Sequence, residues 1–415
     1  MEAIIECAAG LDVHQATVVA CVVATGVGRK LRKEIRTFGT MTRDLDCLRA
    51  WLSEHAVTHV GMESTGVYWM PVYAALEGSF TLIVGNAHHI RNVPGRKTDA
   101  KDAEWLAELV RHGLIRPSFV PSPELRELRD LLRHRRSLAG AIAAGRNRTL
   151  KLLESAGIKL STVATDAFGV SGMAMLHALA DGVDTPEAMA ALAKGRLRRK
   201  LEALARALEG RMTDHHRFML RLHLVHLQHL ESTVAELDAR ITEKINPYHA
   251  QVRLLAGIPG VDQLIAAHII AEIGVDMSVF GTAGRLSAWA GVCPGNYESA
   301  GKRQGGATRK GNVSLKTALI TAAIGASRTR GTYLKDKFYR LRARCGAMKA
   351  AMAIAHKILV AVFHILAARV PFRELGDGYL DSRSKHRVTK ALVRRLDVLG
   401  YRVTLEQKSI VVAAS

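Results

Sequence analysis

The chain has 415 residues, enough for two or three domains each with its own core, and carries 59 Lys plus Arg against 38 Asp plus Glu. The formal charge of +21 favours a polyanionic partner, because every neutralised phosphate releases condensed counterions. The basic residues are spread over many segments rather than one amphipathic helix, and no apolar run reaches ~18 residues uninterrupted, so nucleic acid fits better than a membrane.

In chain order, Glu2 and Glu6 stand where a signal peptide would be basic, and a cytoplasmic protein is expected. A strand is expected near residues 5–13, paired with a second from Thr17 to Thr25 that is rich in β-branched residues. A third run, Glu34 to Phe38, completes a small meander. Helical patterns at 42–54 and 67–77 alternate with short strands at Thr58–Met62 and Phe80–Val84. Thr98 then caps a helix running to about Arg111, with Asp99 and Asp102 in its first turn and Gly113 at its end. Residues 1–122 therefore read as an α/β domain with a mixed sheet.

Residues 123–250 are helical in pattern, with Leu125, Leu128, Leu132, Ile142 and Leu150 under a heavily basic face. Leu227, Leu230, Val234, Leu237 and Ile241 form a short heptad seam, which suits a coiled coil between chains or an antiparallel hairpin within one. His223, His226 and His229 on the same helix read as a solvated face rather than a zinc site, and Tyr68 and Trp69 read as core. Residues 251–372 are mainly α, interrupted by a glycine-rich basic loop at 295–312, and the basic tail 373–415 receives no role. The five cysteines (Cys7, Cys21, Cys47, Cys293, Cys345) include no C-x-x-C pair, which argues against a disulfide framework and a cysteine-rich zinc site.

The chemistry concentrates in acidic residues. Asp12 interrupts the end of an apolar strand, and Glu63 follows another; carboxylates at neighbouring strand ends point into one crevice. Asp99 and Asp102, three apart on a helix, share a face. Four such carboxylates repel one another unless cations neutralise them, and hard oxygen donors suit magnesium or manganese. Two such ions can clamp the attacking and leaving oxygens of a phosphodiester.

Gly10-Leu-Asp-Val-His, Met62-Glu-Ser-Thr-Gly-Val-Tyr-Trp and Lys97-Thr-Asp-Ala-Lys-Asp-Ala resemble the three motifs of the DEDD transposases. This is the bacterial insertion-sequence family known for bridge-RNA-guided recombination and related to the pilin-gene invertases. The likeness spans roughly the first 370 residues. It implies a RuvC-like, RNase H-like N-terminal domain whose acids, here Asp12, Glu63, Asp99 and Asp102, hold magnesium. It further implies a coiled-coil middle segment, a C-terminal transposase domain, double-stranded donor and target DNA, a guide RNA, and a homo-oligomer from dimer to tetramer.

Leu254-Leu-Ala-Gly-Ile-Pro-Gly-Val-Asp reads as a helix-hairpin-helix, with Gly257 and Gly260 as backbone contacts to a phosphate, or as a packed helical hairpin. The following loop fails the P-loop template, because five residues separate Gly295 from Gly301 and Arg303 stands where Ser or Thr belongs. What remains is Ser299 among Lys302, Arg303, Arg309 and Lys310, a set that on chemistry alone suits a phosphate-gripping loop with an incidental serine. The resemblance implies more, since the family carries a nucleophilic serine in a Ser-Gly-Gly-Lys-like stretch and links it covalently to DNA. Ser299, Gly301 and Lys302 match that place; Ala300 and Glu298 depart from it, and Ser287 and Ser314 are the fallback nucleophiles. The rival readings are a Holliday-junction-resolvase-like metal nuclease, an RNA-independent DNA invertase and a non-enzymatic nucleic-acid-packaging protein.

Overall fold

Strands rich in Val and Ala, separated by short turns, build the first part of the chain. The computed structural model describes residues 3–25, 31–87, 90, 102–183, 185–295, 297–299, 302–305, 308 and 310–406. They fall into two compact units, 1–120 and 121–415. In the first, β1 (Cys7–Val13), β2 (Thr17–Thr25) and β3 (Leu31–Gly39) form an antiparallel meander. α1 (Thr42–Glu54), β4 (His59–Glu63), α2 (Trp69–Leu76) and β5 (Thr81–Gly85) follow, and β4 and β5 extend the sheet in parallel with β1. The order is β3-β2-β1-β4-β5, the expected mixed sheet.

Strand periodicity divides the sheet faces. Ala9, Leu11, Val60 and Met62 pack with Leu45, Leu48, Trp51, Val72 and Leu76 beneath α1 and α2. The opposite face is covered by α3 (Asp102–Arg111), through Leu106, Leu109 and Val110. Gly113, at φ +64°, ends that helix as expected. β3 is longer than its apolar signal because nearly every residue in it is exposed, so an edge strand shows no hydrophobic alternation. Tyr68 is a correction: it is 43% exposed, while Trp69 is half-buried and meets Tyr73 edge-on.

The second unit is helical. α4 (Pro123–Ser155) leads into α5 (Leu160–Val163), α6 (Val170–Asp181), α7 (Pro186–Ala191) and α8 (Leu201–Leu208), then the long α9 (Asp214–Ile245). The small helices enclose a core of Leu153, Met175, Leu179, Leu204, Leu208 and Leu220. α9 packs on α4, burying Leu227, Leu230 and Ile241, so the heptad seam is satisfied within the chain. Then come α10 (His249–Ala256), α11 (Gln263–Ile273), α12 (Ala283–Ala290), α13 (Val313–Arg328), α14 (Tyr333–Cys345) and α15 (Ala347–Ala368).

By length and composition α15 could cross a membrane, although its apolar run is not uninterrupted. Lys349, His356, Lys357 and His364 interrupt it, and Ile354, Ile358, Val362 and Leu366 are buried where it packs on α12, α13 and α14. The tail forms α16 (Tyr379–Arg383) and α17 (Lys385–Val398).

Candidate active site

Register brings the first two acids together. Leu11 pairs with Met62 across the parallel β1–β4 ladder, so Asp12 and Glu63 occupy the next step at the carboxyl ends of adjacent strands. Both share a face with Gly10 and Gly61, two residues earlier, and that face is the one α3 covers. A Cβ on Gly10 would fall 2.1 Å from the Ala103 carbonyl oxygen, and one on Gly61 would fall 2.3 Å from Val110. Gly10 thus admits the first turn of α3 against the sheet. Asp102 opens that turn, one residue before Ala103. Val19, the register partner of Asp12, packs beside Ala103 and Ala107. Three of the four acids therefore belong to one end of the sheet and one face. Asp99 and the expected cap Thr98 lie outside the described residues.

Asp12 is one-third exposed, and its Oδ2 lies 3.1 Å from Nε2 of His14, a neighbour that the acid pattern alone did not single out. Oε1 of Glu63 accepts a hydrogen bond from the Thr65 hydroxyl at 2.6 Å. Half-exposed carboxylates on neighbouring strand ends supply the hard donors a divalent cation such as magnesium takes. Among the described residues, no group of three or more His, Cys, Asp and Glu gathers closely enough to hold a metal ion. His226 and His229 are exposed and His223 is half-buried beside Thr149, in keeping with a solvated helix face.

The loop expected at 295–312 contains a β-hairpin. β6 (Tyr297–Ser299) pairs antiparallel with β7 (Lys302–Gly305), setting Ser299 opposite Lys302 and Glu298 opposite Arg303. A Pro294–Thr308 bridge continues the stem. Gly-rich sequence hid these strands, since their pairing owes nothing to an apolar face. Lys310 is exposed, and Arg309 lies outside the described residues. The fallback serines are inaccessible: Ser287 is fully buried and donates to the Ala283 carbonyl at 2.8 Å, and the Ser314 hydroxyl is buried too.

Gly260 has a packing role. It sits at φ +83°, and a Cβ there would meet the Ala322 carbonyl oxygen of α13 at 2.2 Å. The start of α11 is already capped by Asp262, which accepts from the Ile265 amide at 2.7 Å. Gly260 therefore packs closely on α13, while Gly257 is exposed.

One buried cluster was not anticipated. Glu272 on α11 is 1% exposed and accepts from Nε and Nη2 of Arg133, both at 2.8 Å. Arg129 donates to the Glu272 and Ala271 carbonyls at 2.8 and 3.2 Å. Asn312 Nδ2 donates to Glu272 Oε2 at 2.6 Å, immediately after the hairpin. Burial pushes the Glu272 carboxyl up, but the bonds from Arg133 and Asn312 and the Arg129 charge together hold it below the usual range. Arg133 and Glu272 are 139 residues apart in sequence, so no local pattern could have linked them.

Comparison with known proteins covers both regions. A transposase profile of the IS110 DEDD type matches residues 9–158, and a profile for transposases of the IS116/IS110/IS902 family matches residues 252–340. The chain is 27% identical over 232 residues, 56% of its length, to a Pseudomonas aeruginosa protein called "Probable family 20 transposase". It is 25% identical over 246 residues, 51% of its length, to the "Insertion element IS900 uncharacterized 42 kDa protein" of Mycobacterium paratuberculosis. In each case it spans 60% of the relative's own length. With more than half of its residues matched by the two profiles, the chain belongs to the DEDD transposases of the IS110 family.

Proposed function

We propose that this protein is an insertion-sequence transposase that cuts and rejoins double-stranded DNA with two sets of groups, an acidic set in an RNase H-like first unit and Ser299 in the second. The observation that carries the reading is the placement of Asp12 and Glu63 at adjacent register positions on one sheet face, with Asp102 opening the helix on that face. Asp12, Glu63, Asp99 and Asp102 would hold magnesium or manganese, which when bound supplies positive charge against the phosphoryl oxygens.

Ser299 is the nucleophile of this reading. Its hydroxyl oxygen bonds to phosphorus, the bond from phosphorus to one sugar oxygen breaks, and the serine proton ends on that oxygen. Attack by a new sugar hydroxyl on the phosphoserine reverses the sequence and rejoins a strand. Burial of the hydroxyls of Ser287 and Ser314 favours Ser299, and a lysine directly opposite it across the hairpin suits an anionic transition state. Lys302, Arg303, Arg309 and Lys310 would grip the backbone, with Gly257 as a further contact.

A guide RNA and a homo-oligomer are what the family resemblance of the motifs implies, and a cytoplasmic location is the expectation from the N-terminal sequence and the cysteines. The reading is tested by incubating the protein with donor DNA and magnesium. Wild type is expected to yield cleaved strands attached to protein, and Asp12→Ala neither cleavage nor attachment. Ser299→Ala should bind DNA without forming the attachment. Cleavage at wild-type rate by Ser299→Ala would instead favour a nuclease in which the acids act alone.

A further inference from the structure

We propose that Glu272 is a positioning residue for the serine hairpin, acting through Asn312, which it holds where the hairpin joins α13. The inference rests on the reading of Ser299 as nucleophile given above.

Taking a carboxylate and two guanidinium groups out of water is expensive, and apolar residues of similar volume often stabilise a fold as well or better. A cluster of this kind is better suited to fixing geometry than to adding stability. Here the geometry fixed is that of one residue. The Asn312 amide is committed at both ends: Nδ2 donates to Glu272, and Oδ1 accepts from the Leu315 amide at 3.0 Å as the N-cap of α13. Neither end can turn without losing a bond.

The neighbouring residues are fastened as well. A Cβ on Gly311 would come within 2.5 Å of the Ala290 carbonyl group and the Gly291 amide at the end of α12. Arg136 of α4 donates to the Ser314 carbonyl at 3.1 Å. The segment leaving the hairpin is thus held against α12, α11 and α4 at Gly311, Asn312 and Ser314, and the Pro294–Thr308 bridge joins the two sides of the stem. Ser, the common alternative cap, is too short to reach Glu272, and Asp would set a second carboxylate against it. Asn alone caps the helix and donates to the buried acid.

The test exchanges donor and acceptor. Asn312→Asp spoils the contact by setting two carboxylates together, and Glu272→Gln strips it of the charge and of an acceptor for Arg133; the double variant lets an amide donate to a carboxylate again, with the partners reversed and one negative charge kept in the cluster. Rates of protein–DNA attachment are measured at saturating DNA, below each variant's unfolding transition, alongside DNA affinity and hydrogen exchange of residues 295–312. Each single variant should react ~10²-fold more slowly, the loss expected of a ~1 Å misplacement, with affinity unchanged. Exchange in the segment should rise in the single variants and return in the double, which should recover most of the rate. Asn312→Ser keeps the cap and removes only the contact, so it serves if either single variant fails to fold; it too should be slow.

Folded single variants with wild-type rate and exchange would overturn the proposal, as would a loss confined to DNA affinity. If wild type forms no attachment at all while exchange responds as described, the serine reading fails and the positioning role stands.

Discussion

In the proposed reading, the chemistry at Asp12, Glu63 and Asp102 would depend on the carboxylate itself. Asp12→Asn keeps the shape of the side chain and its place at the end of β1, but halves its value as a hard donor. It is expected to lower strand cleavage by at least ~10²-fold with DNA affinity nearly unchanged, as scored on gels at fixed magnesium. Ser287→Ala should leave attachment to DNA unaltered, because its hydroxyl is spent on the Ala283 carbonyl. Loss of that bond should cost about 1 kcal/mol in urea unfolding.

Asp12 stood out in the sequence because an Asp ending an apolar strand contradicts its surroundings, a pattern expected at functional positions. Glu272 and Asn312 did not. Each is ordinary in its local pattern, a glutamate within a helix and an asparagine before one, and only the packing of α4 on α11 gives them a common purpose.

Among the elements, close approaches decide which substitutions the fold tolerates. α3 lies directly on β1 because Gly10 has no Cβ to strike Ala103 and Ala107. Gly10→Ala should push α3 off the sheet, moving Asp102 away from Asp12, and destabilise the first unit by several kcal/mol, read by chemical denaturation. Activity should fall with it even at temperatures where the variant is folded.

The sheet was legible almost strand for strand, since a sheet covered on both faces makes its inner strands near-continuous apolar runs. The limits of that signal show at β3, whose exposed residues carry no pattern beyond Phe38, and at β6 and β7, which pair without an apolar face. The seam from Leu227 to Ile241 was visible, but a heptad does not name its partner; α4 supplied it.

For the whole molecule, charge and pH set two expectations. A net charge of +21 predicts that log affinity for duplex DNA falls steeply and linearly with log salt, with a slope near −0.9 per neutralised phosphate. Buried charges around α11 predict acid sensitivity. His268 is 7% exposed, and burial, with Arg136, Arg135 and Arg133 adding to it against the opposing Glu272, pushes its pKa down to about 4.

A histidine whose folded value lies below its unfolded value disfavours the protonated form in the native state. Stability is therefore whole above pH ~6.5 and is lost as pH falls toward 4, by up to about 3 kcal/mol. The lowered carboxyl of Glu272 acts in the same direction at lower pH still. Urea unfolding at pH 7 and pH 5 checks this: His268→Gln should shrink the difference, and an unchanged difference would mean that His268 is not its source.

The reading of the molecule as a serine-assisted recombinase is tested most directly by locating the bond to DNA. The protein is incubated with donor DNA and magnesium, denatured and digested, and the peptide carrying the nucleotide is sequenced by mass spectrometry. The account predicts a phosphodiester on Ser299, absent in Ser299→Ala and in Asp12→Ala. Attachment at any other residue, or cleaved strands that never carry protein, would contradict it.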